Sequence, residues 1–241
     1  MNLKKHIPNT LTCCNLLSGC AATYFAFQQD FPLSMLLIVV GAAFDFFDGF
    51  AARLLHVSSP IGKELDSLAD DITFGFAPAA MVFGMLQQLV SPANMPEGCP
   101  LQQVSGIELL PYAAFLIAAF SALRLAKFNL DERQALGFIG MPTPANALFW
   151  GSLVIGLQEH FGVLPTWTAG VILLRVFVCS WLLVSEIPMF ALKFKQWGWK
   201  GNEVKYIFVI SCIPLLLCFK VLGIAVIIAW YVLLSILTQK K

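Results

Sequence analysis

The chain alternates long apolar runs with short polar stretches, and the runs have the length of a membrane-crossing helix. A spanning helix needs about 20 mostly apolar residues. Eight such runs can be read, at about 9–28, 33–55, 66–89, 109–128, 143–159, 167–185, 205–219 and 221–238. The last two share one stretch, YIFVISCIPLLLCFKVLGIAVIIAWYVLLSIL, too long for one ordinary span. Lys220 with Gly223 offers the break between them. The pattern predicts an all-α, polytopic transmembrane helical bundle of about eight spans, with six and seven as the other counts the runs allow. No internal repeat or low-complexity segment divides the chain, so residues 1–241 read as one integral-membrane domain.

Composition agrees. Hydrophobic residues make up 59% of the 241 and charged residues 12%, with a mean hydropathy of +0.79. Soluble domains carry about 25% charged residues. A net charge of +1 leaves no electrostatic case for nucleic acid as a partner. Of Cys13, Cys14, Cys20, Cys99, Cys179, Cys212 and Cys218, six lie in apolar runs and none forms a CxxC pair. They read as buried small apolar residues rather than a zinc site or a disulfide framework. The basic start MNLKKHIPNT precedes an apolar run without a clear small-residue cleavage site, which favours a retained first helix over a signal peptide.

Loop charges set an orientation. Every Lys and Arg except Arg175 and Lys220 falls on one side of the eight-run pattern. The opposite loops, around Gln28–Pro32, Ser91–Glu108 and Glu159–Thr166, contain none. The expectation is a multi-pass protein of the cell (cytoplasmic) membrane, with both termini in the cytoplasm.

A knot of carboxylates sits at the cytoplasmic ends of runs two and three, in FDFFDGFAARLLHVSSPIGKELDSLADD, residues 44–71. Asp45 and Asp48 are spaced i, i+3, and Asp66 and Asp70 are spaced i, i+4, so each pair shares a helix face. If the two helices are neighbours, four carboxylates converge. Their mutual repulsion at a membrane edge calls for a counter-charge. Oxygen-only ligands select hard divalent cations such as Mg²⁺, Mn²⁺ or Ca²⁺, and four carboxylates suffice for two metals clamping a phosphoryl transfer. Gly49 lets a ligand approach the backbone, and Ser58 and Ser59 supply donors. Arg53 offers a fork to phosphate oxygens or anchors the positive side. Glu64 and Asp71 lie off the shared face and read as solvated or helix N-terminal charges. Arg124 and Lys127, one turn apart at the end of run four, read as positive-inside anchors or lipid-phosphate contacts.

These residues resemble the signature of the CDP-alcohol phosphotransferases, Asp-x-x-Asp-Gly-x-x-Ala-Arg, a gap, then Gly-x-x-x-Asp-x-x-x-Asp. Asp45, Asp48, Gly49, Ala52, Arg53, Gly62, Asp66 and Asp70 fill every fixed position. The flanks IPNTLTCCNLLSG, LDSLADDITFGFAP, RLAKFN, FIGMPTPANA and, weakly, VSEIP are similar to the integral-membrane phosphatidylserine synthases of that family, over about residues 7–190. Lys127 stands where the family often has a second Arg, and Asp71 where a small apolar residue is common.

The resemblance implies transfer of a phosphatidyl group from CDP-diacylglycerol to the hydroxyl of L-serine, releasing CMP. It implies two divalent cations (Mg²⁺ or Mn²⁺) on Asp45, Asp48, Asp66 and Asp70, with Asp70 as general base. It implies CDP-diacylglycerol contacts from Asn9, Thr12, Gly49, Ala52, Arg53 and Ser59, and a homodimer. The serine carboxylate is then expected at Arg124 and Lys127. A substrate that is half lipid and half charge accounts for carboxylates at a bilayer edge, and membrane lipids are expected partners. Two rivals stand beside this reading: the same chemistry with glycerol 3-phosphate or inositol as acceptor, and a divalent-cation transporter.

Overall fold

A computed structural model describes residues 6–57, 59–94, 105–131, 138–161, 165, 167–190, 198–199 and 202–238. Its helices are α1 (His6–Phe27), α2 (Phe31–Leu54), α3 (Pro60–Asp70), α4 (Ala77–Val90), α5 (Leu116–Leu130), α6 (Thr143–Phe161), α7 (Thr168–Val184) and α8 (Glu203–Leu237). A π-helical turn, Asp71–Phe76, joins α3 to α4, and a 3₁₀ stretch, Ile107–Phe115, leads into α5. That stretch holds Pro111, whose ring removes a backbone donor from the helix ladder.

Among the described residues, five helical segments are long and apolar enough to cross a membrane: His6–Phe27, Phe31–Leu54, Pro60–Val90, Ile107–Leu130 and Glu203–Leu237. α7 is apolar but shorter. α8 is interrupted at Lys220, where φ is 48° and ψ −123°, so the final apolar stretch breaks at the residue expected from the sequence. The two legs fold back on each other. Trp230 Nε1 donates to Ser211 Oγ at 3.1 Å, and the rings of Phe208 and Tyr231 stand 5.8 Å apart.

The unit α3–π turn–α4 is the centre of the bundle. Its apolar window is 72% buried, against 22% for that of α2. α1, α5 and α6 pack around it, and α2 packs on α1. Ala22, Ala26, Ala77, Ala79 and Ala80 are fully buried, which lets helices approach closely as in membrane bundles. Phe74, Met81, Leu86, Ile117 and Trp150 fill the space between. Apolar side chains also face outward, among them Phe46, Phe47 and Phe50 on α2 and Ile210, Ile213 and Leu217 on α8. Such a surface suits hydrocarbon rather than water.

The described residues are all-helical, as the apolar runs predict, apart from one short antiparallel pairing of β1 (Phe138–Ile139) with β2 (Pro188–Met189). Two connecting segments meet there and satisfy each other's backbone groups, which local sequence does not announce. One expectation needs correction: the cysteines are less buried than their apolar neighbours suggested. Cys179 is buried, Cys14 and Cys212 are intermediate, and Cys13, Cys20 and Cys218 are exposed on helix faces. In a membrane bundle an apolar neighbourhood does not distinguish core from lipid-facing positions, so the pattern could not place them. Cys99 lies outside the described residues, as do Lys4, Lys5, Arg133, Lys193, Lys195, Lys200, Lys240 and Lys241 of the charge pattern.

Candidate active site

The site is assembled from three helix segments: the start of α1, the end of α2 and the start of α3. The chain leaves α2 through Leu55 and His56, which takes a φ of +51° and reverses direction. Ser59 then caps α3, its Oγ accepting from Gly62 N at 2.9 Å, and Pro60 supplies the pre-set first-turn φ. This tight return sets Asp45 and Asp48 opposite Asp66 and Asp70. Carboxylate oxygens of Asp45, Asp48 and Asp66 all lie within 4.8 Å of one another. Asp70, one turn beyond Asp66, is within electrostatic range of all three.

α1 contributes the neutral donors. Thr12 donates its hydroxyl proton to Asp48 Oδ2 at 2.6 Å, and Asn15 Nδ2 donates to Asp70 Oδ1 at 3.1 Å. Among the described residues no Lys or Arg forms an ion pair with any of the four Asp. Asp66 Oδ1 is buried without a hydrogen-bond partner, and so is Asn15 Oδ1. Clustered carboxylates with an orphaned buried oxygen, and only neutral donors in contact, form a hard oxygen-donor set that fits a divalent cation. The protein has a group of side chains that can hold a metal ion.

Beside the cluster opens a cleft of about 250 Å³. Asn9, Thr12, Gly49, Ala52 and Ser59 line it, together with Asp48 and Asp66. Arg53 does not: it is exposed, and its guanidinium curls back toward Gly49. Ser58 lies outside the described residues. Pattern reading missed Gly62 and Lys63 as lining residues. A Cβ on Gly62 would come 2.9 Å from Asn9 Oδ1, so only glycine admits α1 this close to the first turn of α3. Lys63 belongs to the charged side of the Lys and Arg pattern, and its Nζ donates to Asn129 O on α5 at 3.2 Å. The cleft thus meets the N-terminus of α3, a lysine and a serine hydroxyl, all suited to an anionic phosphate group.

On the other side of Asp66 and Asp70, a second cleft of about 230 Å³ is bounded by Arg124, Phe128 and Asn129 of α5 and by Pro142, Thr143 and Pro144. The GMPTPAN stretch, which leads into α6, therefore borders the acidic cluster. Arg124 is buried, 7% exposed, whereas Lys127 is exposed. The two also line a third cleft of about 360 Å³ with Ser185 and Glu186. Asp71 differs from expectation. It is half-buried, with Oδ1 buried, unpartnered and close to Gly75 and Ser121, because the π turn rotates it inward. Glu64 is exposed as expected.

The sequence model of the CDP-alcohol phosphatidyltransferase family matches residues 5–149, from the start of α1 into α6. The chain belongs to that family. Its members are transferases, and the match contains the whole acidic cluster and Arg124. The chain is 32% identical over 188 residues to the CDP-diacylglycerol–serine O-phosphatidyltransferase of Bacillus subtilis, covering 76% of this chain and 88% of that protein. The Mycobacterium leprae protein of the same name is 32% identical over 197 residues, covering 76% of this chain and 57% of its own length. The Helicobacter pylori (strain 26695) protein, also so named, is 28% identical over 195 residues, covering 80% and 75%.

Proposed function

We propose that the protein transfers the phosphatidyl group of CDP-diacylglycerol to the hydroxyl of L-serine, giving phosphatidylserine and CMP. One observation carries the reading: three carboxylates within 4.8 Å of one another stand between a cleft suited to phosphate and a cleft walled by a buried arginine. The activity for which the relatives are named, CDP-diacylglycerol–serine O-phosphatidyltransferase, supports CDP-diacylglycerol as donor and serine as acceptor. Two divalent cations, Mg²⁺ or Mn²⁺, would be held by Asp45, Asp48, Asp66 and Asp70. Bound there, they would supply charge neutralisation of the pyrophosphate and of the leaving CMP.

The chain's own residues do the rest. Asn9, Thr12, Gly49, Ala52 and Ser59 receive the cytidine and phosphates in the 250 Å³ cleft. Ser59 Oγ is occupied as an acceptor by Gly62 N, which leaves its O–H free to donate. Arg53 swings from Gly49 toward the pyrophosphate as the donor enters. The serine oxygen attacks the phosphorus bearing the diacylglycerol; a P–O bond forms to serine and the P–O bond to CMP breaks. Asp70 takes the hydroxyl proton, with the Asn15 amide fixing one of its oxygens so that the other is presented to the acceptor. No covalent nucleophile is needed, and the displacement proceeds directly in a ternary complex. Arg124 and Lys127 receive the serine carboxylate.

The chain is read as a multi-pass protein of the cell membrane with eight spans, including α6, α7 and both legs of α8. Both termini and the site face the cytoplasm, and the protein works as a homodimer. The one-sided Lys and Arg distribution supports the orientation; the homodimer rests on the family resemblance.

Purified protein, CDP-diacylglycerol and Mn²⁺ or Mg²⁺ are incubated with serine, glycerol 3-phosphate or inositol, and CMP is measured. Chelator-sensitive release with serine alone is the expected result. Release only with another acceptor would retain the chemistry and reject serine.

A further inference from the structure

Arg124 is a buried cation with unspent donors. It is 7% exposed, its Nε is buried without a partner, and Nη1 reaches Thr143 Oγ1 only at 3.5 Å. Its guanidinium carbon lies 5.4 Å from the centroid of the Phe128 ring, within cation–π range. The same residue walls two clefts. On one side are Asp66 and Asp70. On the other are Lys127, Ser185 and Glu186. Glu186 makes no ion pair among the described residues, although two cations line the same cleft. Asp131, at the rim, already has an interaction of its own.

A cleft with an arginine on its wall and a glutamate that makes no ion pair among the described residues is complementary to a zwitterion. An anion would gain from Arg124 but be repelled by Glu186, and a simple amine would gain the reverse. Resting on the reading above, that the acceptor is serine, we infer that Glu186 is a specificity-determining residue. It binds the acceptor's ammonium group while Arg124 holds the carboxylate, leaving the hydroxyl to reach past Arg124 toward Asp70. Ser185 offers a hydroxyl beside it.

The backbone fixes where Glu186 stands. Gly140 N donates to Ile187 O at 2.9 Å, and Met141 N donates to Leu182 O at 3.0 Å. Gly140 has a φ of +75°, and a Cβ there would lie 2.7 Å from Leu183 O and 2.9 Å from Ser185 O. Glycine is therefore required for this segment to lie flat on the residues before Glu186. Gly140 is a positioning residue for the same pocket.

The test uses full-length protein in detergent, with Glu186→Gln compared to wild type. Serine is titrated at saturating CDP-diacylglycerol, and 3-hydroxypropanoate, which is serine without its amino group, is titrated as a competitor. The expected result is a rise in the serine KM of about tenfold or more, with kcat changed by less than about twofold and the CDP-diacylglycerol KM unchanged. The inhibition constant of 3-hydroxypropanoate should stay level or fall. Glu186→Asp should keep most of the preference for serine. A serine KM unchanged in Glu186→Gln, or an equal weakening of serine and of 3-hydroxypropanoate, overturns the assignment while leaving the proposed reaction intact. A wild-type protein that releases CMP with other acceptors but not with serine overturns the reaction itself.

Discussion

Thr12 on α1 and Asp48 on α2 are joined by a 2.6 Å hydrogen bond in which the threonine donates and the carboxylate accepts. Asp48 is only 6% exposed, so this bond settles one of its oxygens away from water. Thr12→Val keeps the shape and removes the donor. The expected outcome is a loss of about 1–2 kcal/mol of stability, since a buried acceptor is left unpaired. Thermal unfolding in detergent measures it, and Thr12→Ser should recover most of the loss. An unchanged transition in Thr12→Val would mean the bond contributes nothing net.

Asn15 plays the corresponding part for Asp70, donating Nδ2 at 3.1 Å. Asn15→Leu removes a hydrogen bond to a charged group, a loss of about 1.5–3 kcal/mol, which corresponds to roughly 10–100-fold in rate if the bond orients the base in the transition state. Asn15→Asp should be more damaging, because it adds a charge to the acidic cluster. Steady-state CMP release with serine is the readout; rates within twofold of wild type would remove Asn15 from the catalytic arrangement.

Four carboxylates brought together repel, so a bound divalent cation should stabilise the folded state. Free Mg²⁺ or Mn²⁺ at a hundred times its dissociation constant adds about 2.7 kcal/mol by mass action. The expected observation is a rise in Tm on adding metal and a fall on chelation, both lost in Asp45→Asn with Asp66→Asn. CMP release should stop with the chelator and return when metal is restored. A metal-independent Tm would argue against this site.

Gly62 is the contact point between α1 and the first turn of α3. Gly62→Ala would put a methyl group 2.9 Å from Asn9 Oδ1 and 3.0 Å from Ser59 Oγ. Both neighbours line the 250 Å³ cleft, so the KM for CDP-diacylglycerol should rise several-fold, about 1 kcal/mol of lost binding, while that for serine changes little. The opposite pattern would exchange the roles of the two clefts.

Orientation can be read by labelling. In a cysteine-free background, single cysteines at Gln29 and Glu64, both exposed positions, lie at opposite ends of α2 and its return. With the site facing the cytoplasm, a membrane-impermeant maleimide should label intact cells at Gln29→Cys and not at Glu64→Cys. Labelling at Glu64→Cys alone would invert the topology.

The helices and the sharing of helix faces by the carboxylates are legible along the chain. Both follow from periods: about 20 apolar residues per span, and i, i+3 or i, i+4 for two side chains on one helical face. Asp45 with Asp48, Asp66 with Asp70, and the break at Lys220 are all local features of that kind. The tertiary structure decided what those faces meet. Asn15 reaching Asp70, Lys63 reaching Asn129, and Arg124 standing between two clefts are contacts between residues far apart in the chain. The π turn carries Asp71 inward, and the pairing of 138–139 with 188–189 brings Glu186 to the pocket. A charge at a membrane edge looks the same in sequence whether it anchors a loop or lines a cleft. Only the packing of one helix end against another separates the two.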